Sequence, residues 1–362
     1  MEISSESSTG LVETQLKNIT FDAKSVASED HPNRNEDSFL VGRNYFGVFD
    51  GVGSFSSSDQ ASTITKDYVS EHFKKVSKYI DVQEAKDVVL ETLINVNHFV
   101  YTQGQESKQK LATTASIGLI VEDLNGDKTL VIGNVGDSRV YLLRDGVLEQ
   151  ITLDDNLNRL KNHEKKAREI QSKLNNVIDP NSELTEDEMI MFKQRNQIFQ
   201  AIGFESVIKP RIHTIDLLPL DRIFVCSDGV SDNLTDNQLQ TLLNENKNPS
   251  TAIQKIIDSC LVISRKDSFR SKPDDMTGLI LDNLDQKPNP PKINKQFQNS
   301  QQLDKLYSHE SLKIKRSNGQ IDSGWSILKY SPETGLVTVI KRSDDDTIIE
   351  KVPITVIDSL NN

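Results

Sequence analysis

Phe46-Gly47-Val48-Phe49-Asp50-Gly51-Val52-Gly53-Ser54 is an apolar run that ends on an acid followed by two glycines. The lead-in suits a buried strand. The acid falls at the strand's end, where a scaffold can hold a charge at the mouth of a core, and the glycines let the backbone turn sharply and approach a ligand. A single Asp-Gly pair reads as an ordinary strand-to-loop turn. Repetition changes that reading. Val225-Cys226-Ser227-Asp228-Gly229-Val230 is a second apolar strand ending in Asp-Gly-Val, and Asn134-Val135-Gly136-Asp137-Ser138-Arg139 supplies a third strand-end acid. Asn35-Glu36-Asp37-Ser38-Phe39 and Pro273-Asp274-Asp275-Met276-Thr277 set further acids beside short apolar runs. Acids at so many strand edges suggest one shared site for hard cations.

The rest of the composition agrees with that and excludes other classes. The chain has 362 residues, enough for a large domain and a small one, and a net charge of -12. Such an acidic balance disfavours nucleic acid as a partner, because a phosphate backbone calls for a basic surface. The two cysteines, Cys226 and Cys260, form no CxxC pair, which argues against a disulfide scaffold and a structural zinc. No apolar run approaches the ~18 residues of a membrane span. Met1 to Leu16 is polar and acidic, without the basic and apolar regions of a signal peptide, so the expected location is the cytoplasm; no membrane partner and a monomeric state are expected besides.

Along the chain, residues 1–16 read as a mobile N-terminus and 17–284 as the main domain. Strands are expected at Asn18 to Val26, Ser38 to Val41 and Tyr45 to Phe49. Two helices follow: one carries Ala61, Ile64, Tyr68 and Phe73, the other starts near Gln83 and carries Val89, Val96 and Val100, both near helical spacing. Short strands then run through Thr114 to Val121, Thr129 to Gly133, Arg139 to Arg144 and Val147 to Ile151. Asn125-Gly126 and Asp145-Gly146 separate them as hairpin turns. Residues 154–198 are highly charged and read as exposed helices, the second opening at Thr185 and running to about Ile202. Strands at Arg211 to Leu217 and Arg222 to Cys226, helices at Asp236 to Glu245 and Ser250 to Ser264, and a strand at Thr277 to Leu281 complete this part. Strand runs joined by short turns favour antiparallel sheets and an α+β class. Residues 285–310, with Pro288, Pro290 and Pro291, read as a linker. Residues 311–362 read as a small all-β, barrel-like module of five short strands, the last at Thr355 to Ile357, available to a protein partner.

Taken in order, NEDSF, FGVFDGVG, IGNVGDSRVYLLRDG, FVCSDGVSDNLTD and DDMTGLIL resemble the metal-dependent protein phosphatase 2C family, particularly its bacterial-type members. Each string is weak alone, but five in the right order are not an accident. The resemblance covers about residues 17–284 and implies that 154–198 form an enlarged flap. It implies a four-layer fold, with two antiparallel sheets face to face and helices outside. It also implies hydrolysis of phosphoserine and phosphothreonine in phosphoprotein substrates with two Mn2+ or Mg2+ ions. Carried over string by string, Asp50 bridges both ions, Glu36 and the carbonyl of Gly51 serve one, and Asp228 and Asp274 serve the other. Asp37 corresponds to an acid that orients metal-bound water. Asp137 and Asp232, with Asp228, correspond to holders of a weaker third ion.

The chemistry of the residues supports the same picture. Mn2+ and Mg2+ take oxygen ligands and keep several waters. Two unit charges 4 Å apart repel by roughly 4 kcal/mol at an effective dielectric of 20, so converging acids need a neutraliser. Some positions depart from the family pattern. Pro32 stands where relatives carry a phosphate-gripping arginine, leaving Arg34 as its replacement or as a plain surface charge. Gln200-Ala201-Ile202-Gly203 lacks the basic residue of the corresponding family string, and Val52 replaces a histidine that some eukaryotic relatives use as a general acid. Cys226 has no phosphate loop around it, which disfavours a cysteine nucleophile. These departures keep open a second reading, a catalytically silent regulatory protein of the same fold.

Overall fold

The computed structural model describes residues 16, 18–53, 57–78, 80–123, 126–156 and 163–285, together with the backbone of four strands between 312 and 353. The chain divides into two compact units, Met1–Asp285 and Gln286–Asn362.

The first unit holds two five-stranded sheets in which every pairing is antiparallel. One runs β1 (Ile19–Val26), β10 (Met276–Asn283), β9 (Arg222–Cys226), β6 (Arg139–Arg144) and β7 (Val147–Gln150). The other runs β2 (Ser38–Val41), β3 (Tyr45–Phe49), β4 (Ala115–Glu122), β5 (Lys128–Val135) and β8 (Arg211–Leu217).

Alternation along each strand sorts side chains between layers. Phe46 and Val48 of β3 join Ile223 and Val225 of β9 and Leu279 and Leu281 of β10 in the core between the sheets. Tyr45 and Phe49 point the other way, into a core with α1 (Ser58–Phe73) and α2 (Val82–Ser107). Phe224 and Cys226 likewise turn outward onto α7 (Asp236–Glu245) and α8 (Pro249–Ser264). Both faces of β3 and β9 are therefore buried, which is why they read as unbroken apolar runs rather than alternating ones. The four layers expected from the family resemblance are present.

Most element boundaries agree with the sequence within a few residues. The flap differs. The helix opening at Thr185 is α5 (Glu186–Lys193), ending well short of Ile202. Thr185 and Glu188 close a reciprocal capping box at its start, and Phe192 is its single buried residue. Before it come α3 (Glu164–Asn176) and the short α4 (Pro180–Glu183). A one-turn helix, α6 (Asp228–Ser231), has no counterpart in the sequence reading, because four residues are too few to show a period.

In the second unit β11 (Leu312–Lys315), β12 (Ile321–Ser331), β13 (Leu336–Arg342) and β14 (Thr347–Pro353) form one antiparallel sheet in chain order. Among the described residues β14 does not return to β11. The expected strand at 355–357, the linker at 286–310 and the N-terminal residues 1–15 lie outside the described residues. No helix among the described residues is long and apolar enough to cross a membrane.

Candidate active site

The opposed sheets deliver the acids to one edge of the sandwich. Asp50 directly follows β3, and Asp228 opens α6 two residues after β9. Asp37 sits just before β2, and Ser227 donates its hydroxyl to Asp37 Oδ2 at 2.7 Å, joining the two sheets at this edge. Asp228 and Asp232 lie one helical turn apart, with Asp232 N donating to Asp228 O at 2.8 Å, so their side chains share a face. Asp274 precedes β10, the neighbour of β9.

Close backbone approach explains the Asp-Gly pairs. A Cβ at Gly229 would lie 2.0 Å from the Asp275 carbonyl oxygen, and one at Gly51 would lie 2.7 Å from Ser58 O and 2.8 Å from Glu36 O. Neither glycine has positive φ, so these are contact sites between loops rather than left-handed turns.

The acids are held from behind by side chains that carried no sequence signal. Asp50 N donates to Thr114 Oγ1 at 3.0 Å, and Thr113 Oγ1 donates to Asp50 O at 2.8 Å. Thr114 Oγ1 is 2.7 Å from Ser138 Oγ, which ties the Asp50 turn to the Asp137 loop. Asp275 accepts from Ser28 N at 2.6 Å and Glu36 N at 2.5 Å, so it shapes the Glu36–Asp37 loop. Asp155, fully buried, accepts from Gly136 N at 2.9 Å and from Gln200 Nε2 at 2.6 Å, and pairs with Arg211. Gln200 thus points inward to brace the base of the Asp137 loop. Arg211, from β8, puts a positive charge on the same acid.

Charge crowding dominates the site. Burial pushes the Asp37 carboxyl up to about 8, with Asp275 and Asp274 adding repulsion. Burial also raises Asp50 well above the carboxylate range, reinforced by Asp37, Asp228 and Asp274. Asp137 is raised by burial and then by Asp228, and Asp228 by burial against the pull of Lys272. Asp232 goes the other way: burial opposes its charge, but Lys272, Arg195, Arg139 and Arg270 together bring it below the ordinary value.

Lys272, which the sequence reading did not single out, reaches into the centre of this group. Its Nζ bonds Asp228 Oδ2 and lies 3.0 Å from Asp274 Oδ2 and 3.6 Å from Asp232 Oδ2. Burial disfavours its charge, but Asp228, Asp232, Asp274 and Asp50 outweigh that and hold the amine protonated.

The donor set suits a hard divalent cation. It is all oxygen, and Asp37 Oδ1 and Asp232 Oδ2 are buried with no hydrogen-bond partner. Among the described residues, no three His, Cys, Asp or Glu side chains are drawn together as a closed ligand group. Asp228, Asp232 and Asp274 instead gather around the ammonium of Lys272.

Arg34 lies beside Glu36. Its Nη2 is 3.2 Å from Glu36 Oε1 and 2.8 Å from Asp59 Oδ1, and it donates to Ser58 Oγ at 3.0 Å. The side chain is about one-third exposed, at 37%. Cys226 is buried in the outer core and its thiol is pushed up by burial, so it is inert as a nucleophile.

The four-layer sandwich brings acids together at one edge, an arrangement that can present carboxylates to hard cations. The comparisons carry this to the family. The model of the family described as protein phosphatase 2C matches residues 29–262, well over half of the chain, and the chain belongs to that family. The serine/threonine phosphatase stp of Listeria monocytogenes is 24% identical over 198 residues, covering 54% of this chain and 70% of that protein. The serine/threonine protein phosphatase PstP of Mycobacterium tuberculosis is 25% identical over 255 residues, 69% of this chain and 42% of that protein. The solved structure of the serine/threonine phosphatase Stp1 of Staphylococcus aureus superposes with a TM-score of 0.59 at 22% identity, over 76% of this chain and 98% of that one. The catalytic domain of PstP in complex with two manganese ions gives 0.56 at 22% identity, over 74% and 99%.

Proposed function

We propose that the chain is a protein serine/threonine phosphatase that hydrolyses phosphoserine and phosphothreonine with two divalent ions, Mn2+ or Mg2+. The observation that carries this reading is the delivery of Asp50 and Asp228, from the ends of β3 and β9 in opposed sheets, into one crowded electrostatic field. Glu36, Asp50 and the carbonyl of Gly51 would hold one ion, and Asp50, Asp228 and Asp274 the other. Bound ions of this kind lower the pKa of a shared water and neutralise phosphate oxygens.

The chain's own residues do the rest. Asp37, fixed by the Ser227 hydroxyl on Oδ2, keeps Oδ1 open to accept a proton from the attacking water. Arg34, beside Glu36 and bonded to Ser58 at the start of α1, grips the phosphate of the substrate. Asp275 and Thr114 keep the two acid-bearing turns in register. The second unit, 286–362, carries none of these groups and serves partner or substrate selection.

Purified protein should release phosphate from a phosphothreonine peptide and from p-nitrophenyl phosphate when Mn2+ or Mg2+ is supplied, and lose that activity in chelator. Undiminished turnover after exhaustive chelation would rule the reading out. The position of Lys272 among the acids favours the second reading, a silent regulatory protein. Absence of turnover at every metal concentration, in folded protein, would select it.

A further inference from the structure

Lys272 is built into the site rather than drifting over it. Its backbone is pinned on both sides by one side chain: Lys272 N donates to Asn233 Oδ1 at 3.1 Å, and Asn233 Nδ2 donates to Lys272 O at 2.8 Å. The same Nδ2 donates to Gly229 O at 2.7 Å, so Asn233 fastens the lysine to the turn that bears Asp228 and Asp232. The side chain is only 14% exposed, and its three nearest acceptors are the carboxylates of Asp228, Asp274 and Asp232.

Asp232 is also faced by a second fixed cation. Arg195 Nε lies 3.2 Å from Asp232 Oδ1. Its guanidinium stacks 4.5 Å over the Phe192 ring, and its Nη1 donates to Phe192 O at 3.1 Å, which anchors it to the end of α5. Of the three acids that the family resemblance assigns to a third ion, Asp228 and Asp232 are therefore already covered by positive groups of the chain.

We propose that Lys272, seconded by Arg195, stands in place of the third divalent ion, so that this chain takes two ions where its acid set would otherwise take three. A tethered ammonium supplies one positive charge at fixed position and asks for no metal from solution. It neutralises Asp232 and Asp228 Oδ2, leaves Asp228 Oδ1 to the second ion, and repels a further divalent ion brought against the oxygens it covers. This inference rests on the reading of the acids as a metal centre.

Mn2+ binding to full-length protein freed of metal by chelator tests it, with bound ions counted by calorimetry and electron paramagnetic resonance. The parent should bind two Mn2+. Lys272→Met should bind a third, and Lys272→Arg should stay at two. Asp232→Asn, made in the parent background, should leave the count and affinity unchanged, and it remains informative if Lys272→Met fails to fold. An identical count and affinity in the parent and a folded Lys272→Met would overturn the inference alone. So would three ions in the parent, or the loss of an ion in Asp232→Asn. No Mn2+ binding by parent or variants would overturn the metal-centre reading beneath it.

Discussion

Asp37 gives the site a measurable pH signature in the metal-free protein. Burial holds its carboxyl at about 8, against an ordinary value of 3.8. Between those values the folded chain keeps a proton that the unfolded chain releases. Stability therefore falls as pH rises through the folded value. Integrated from about pH 6.5 to about pH 8, with ~1.36 kcal/mol for each pKa unit, the loss from this group is on the order of 1–2 kcal/mol. His213 acts in the opposite sense. Burial lowers it to about 4, so the folded imidazole is already neutral. Over the same window it returns well under about 1 kcal/mol, as the last unfolded imidazolium deprotonates. Comparison of the parent with Asp37→Asn cancels that contribution, and asparagine keeps an oxygen for the Ser227 hydroxyl. Urea unfolding in chelator at the two pH values should show the parent losing roughly 1–2 kcal/mol more than the variant. Added Mn2+ should shrink the difference, because bound cations favour the charged carboxylate. Equal pH dependence of parent and Asp37→Asn, or a parent that gains stability toward the higher pH, would refute the reasoning.

Arg34→Ala should raise KM for a phosphopeptide by about tenfold with little change in kcat, as expected when the removed interaction stabilises ground and transition states equally. An unchanged KM would return Arg34 to a plain surface charge. Gly136→Ala should destabilise the fold by about 2 kcal/mol or more and depress activity. Gly136 has φ +97°, and an added Cβ would lie 2.7 Å from Thr114 Cγ2, against the side chain that couples Asp50 to Asp137. Unaltered melting and turnover would count against that coupling. A chain ending at Asp285 should keep p-nitrophenyl phosphate turnover and change its preference among phosphoproteins. Loss of small-substrate turnover in the folded, shortened chain would mean the second unit completes the active site.

How much of this was legible in the sequence depends on the range over which each feature acts. β3 and β9 were readable because both faces of each are buried, so the run of apolar residues is itself the signal. The helix stripes of α1 and α2 were readable because each buries one face at helical spacing. Asp50 and Asp228 stood out because an acid after such a run breaks its composition. The flap was harder. α5 stops at Lys193 because its stability comes from one capping box and one buried phenylalanine, and nothing in its charged neighbours marks an end. The support behind the acids was not readable at all. Asp275, the acid next to a proposed ligand, is spent on backbone amides of Ser28 and Glu36, more than two hundred residues away.

Lys272 shows why residue type alone misleads at such a site. In the sequence it is a cation in a polar loop, Arg270-Ser271-Lys272-Pro273, and the reasonable reading is a solvated side chain. Its meaning comes chiefly from Asp228, 44 residues upstream, brought close because β9 and β10 pair side by side and Gly229 admits the Asp275 backbone. The same sheet pairing that gathers the acids gathers their counter-charge. A carboxylate cluster in a low-dielectric pocket has to be neutralised in every state the protein visits, including before metal arrives. Part of that neutralisation is covalently attached in this chain. The number of ions the site accepts is thus set by the balance of fixed charges at its rim, as well as by the count of its acids.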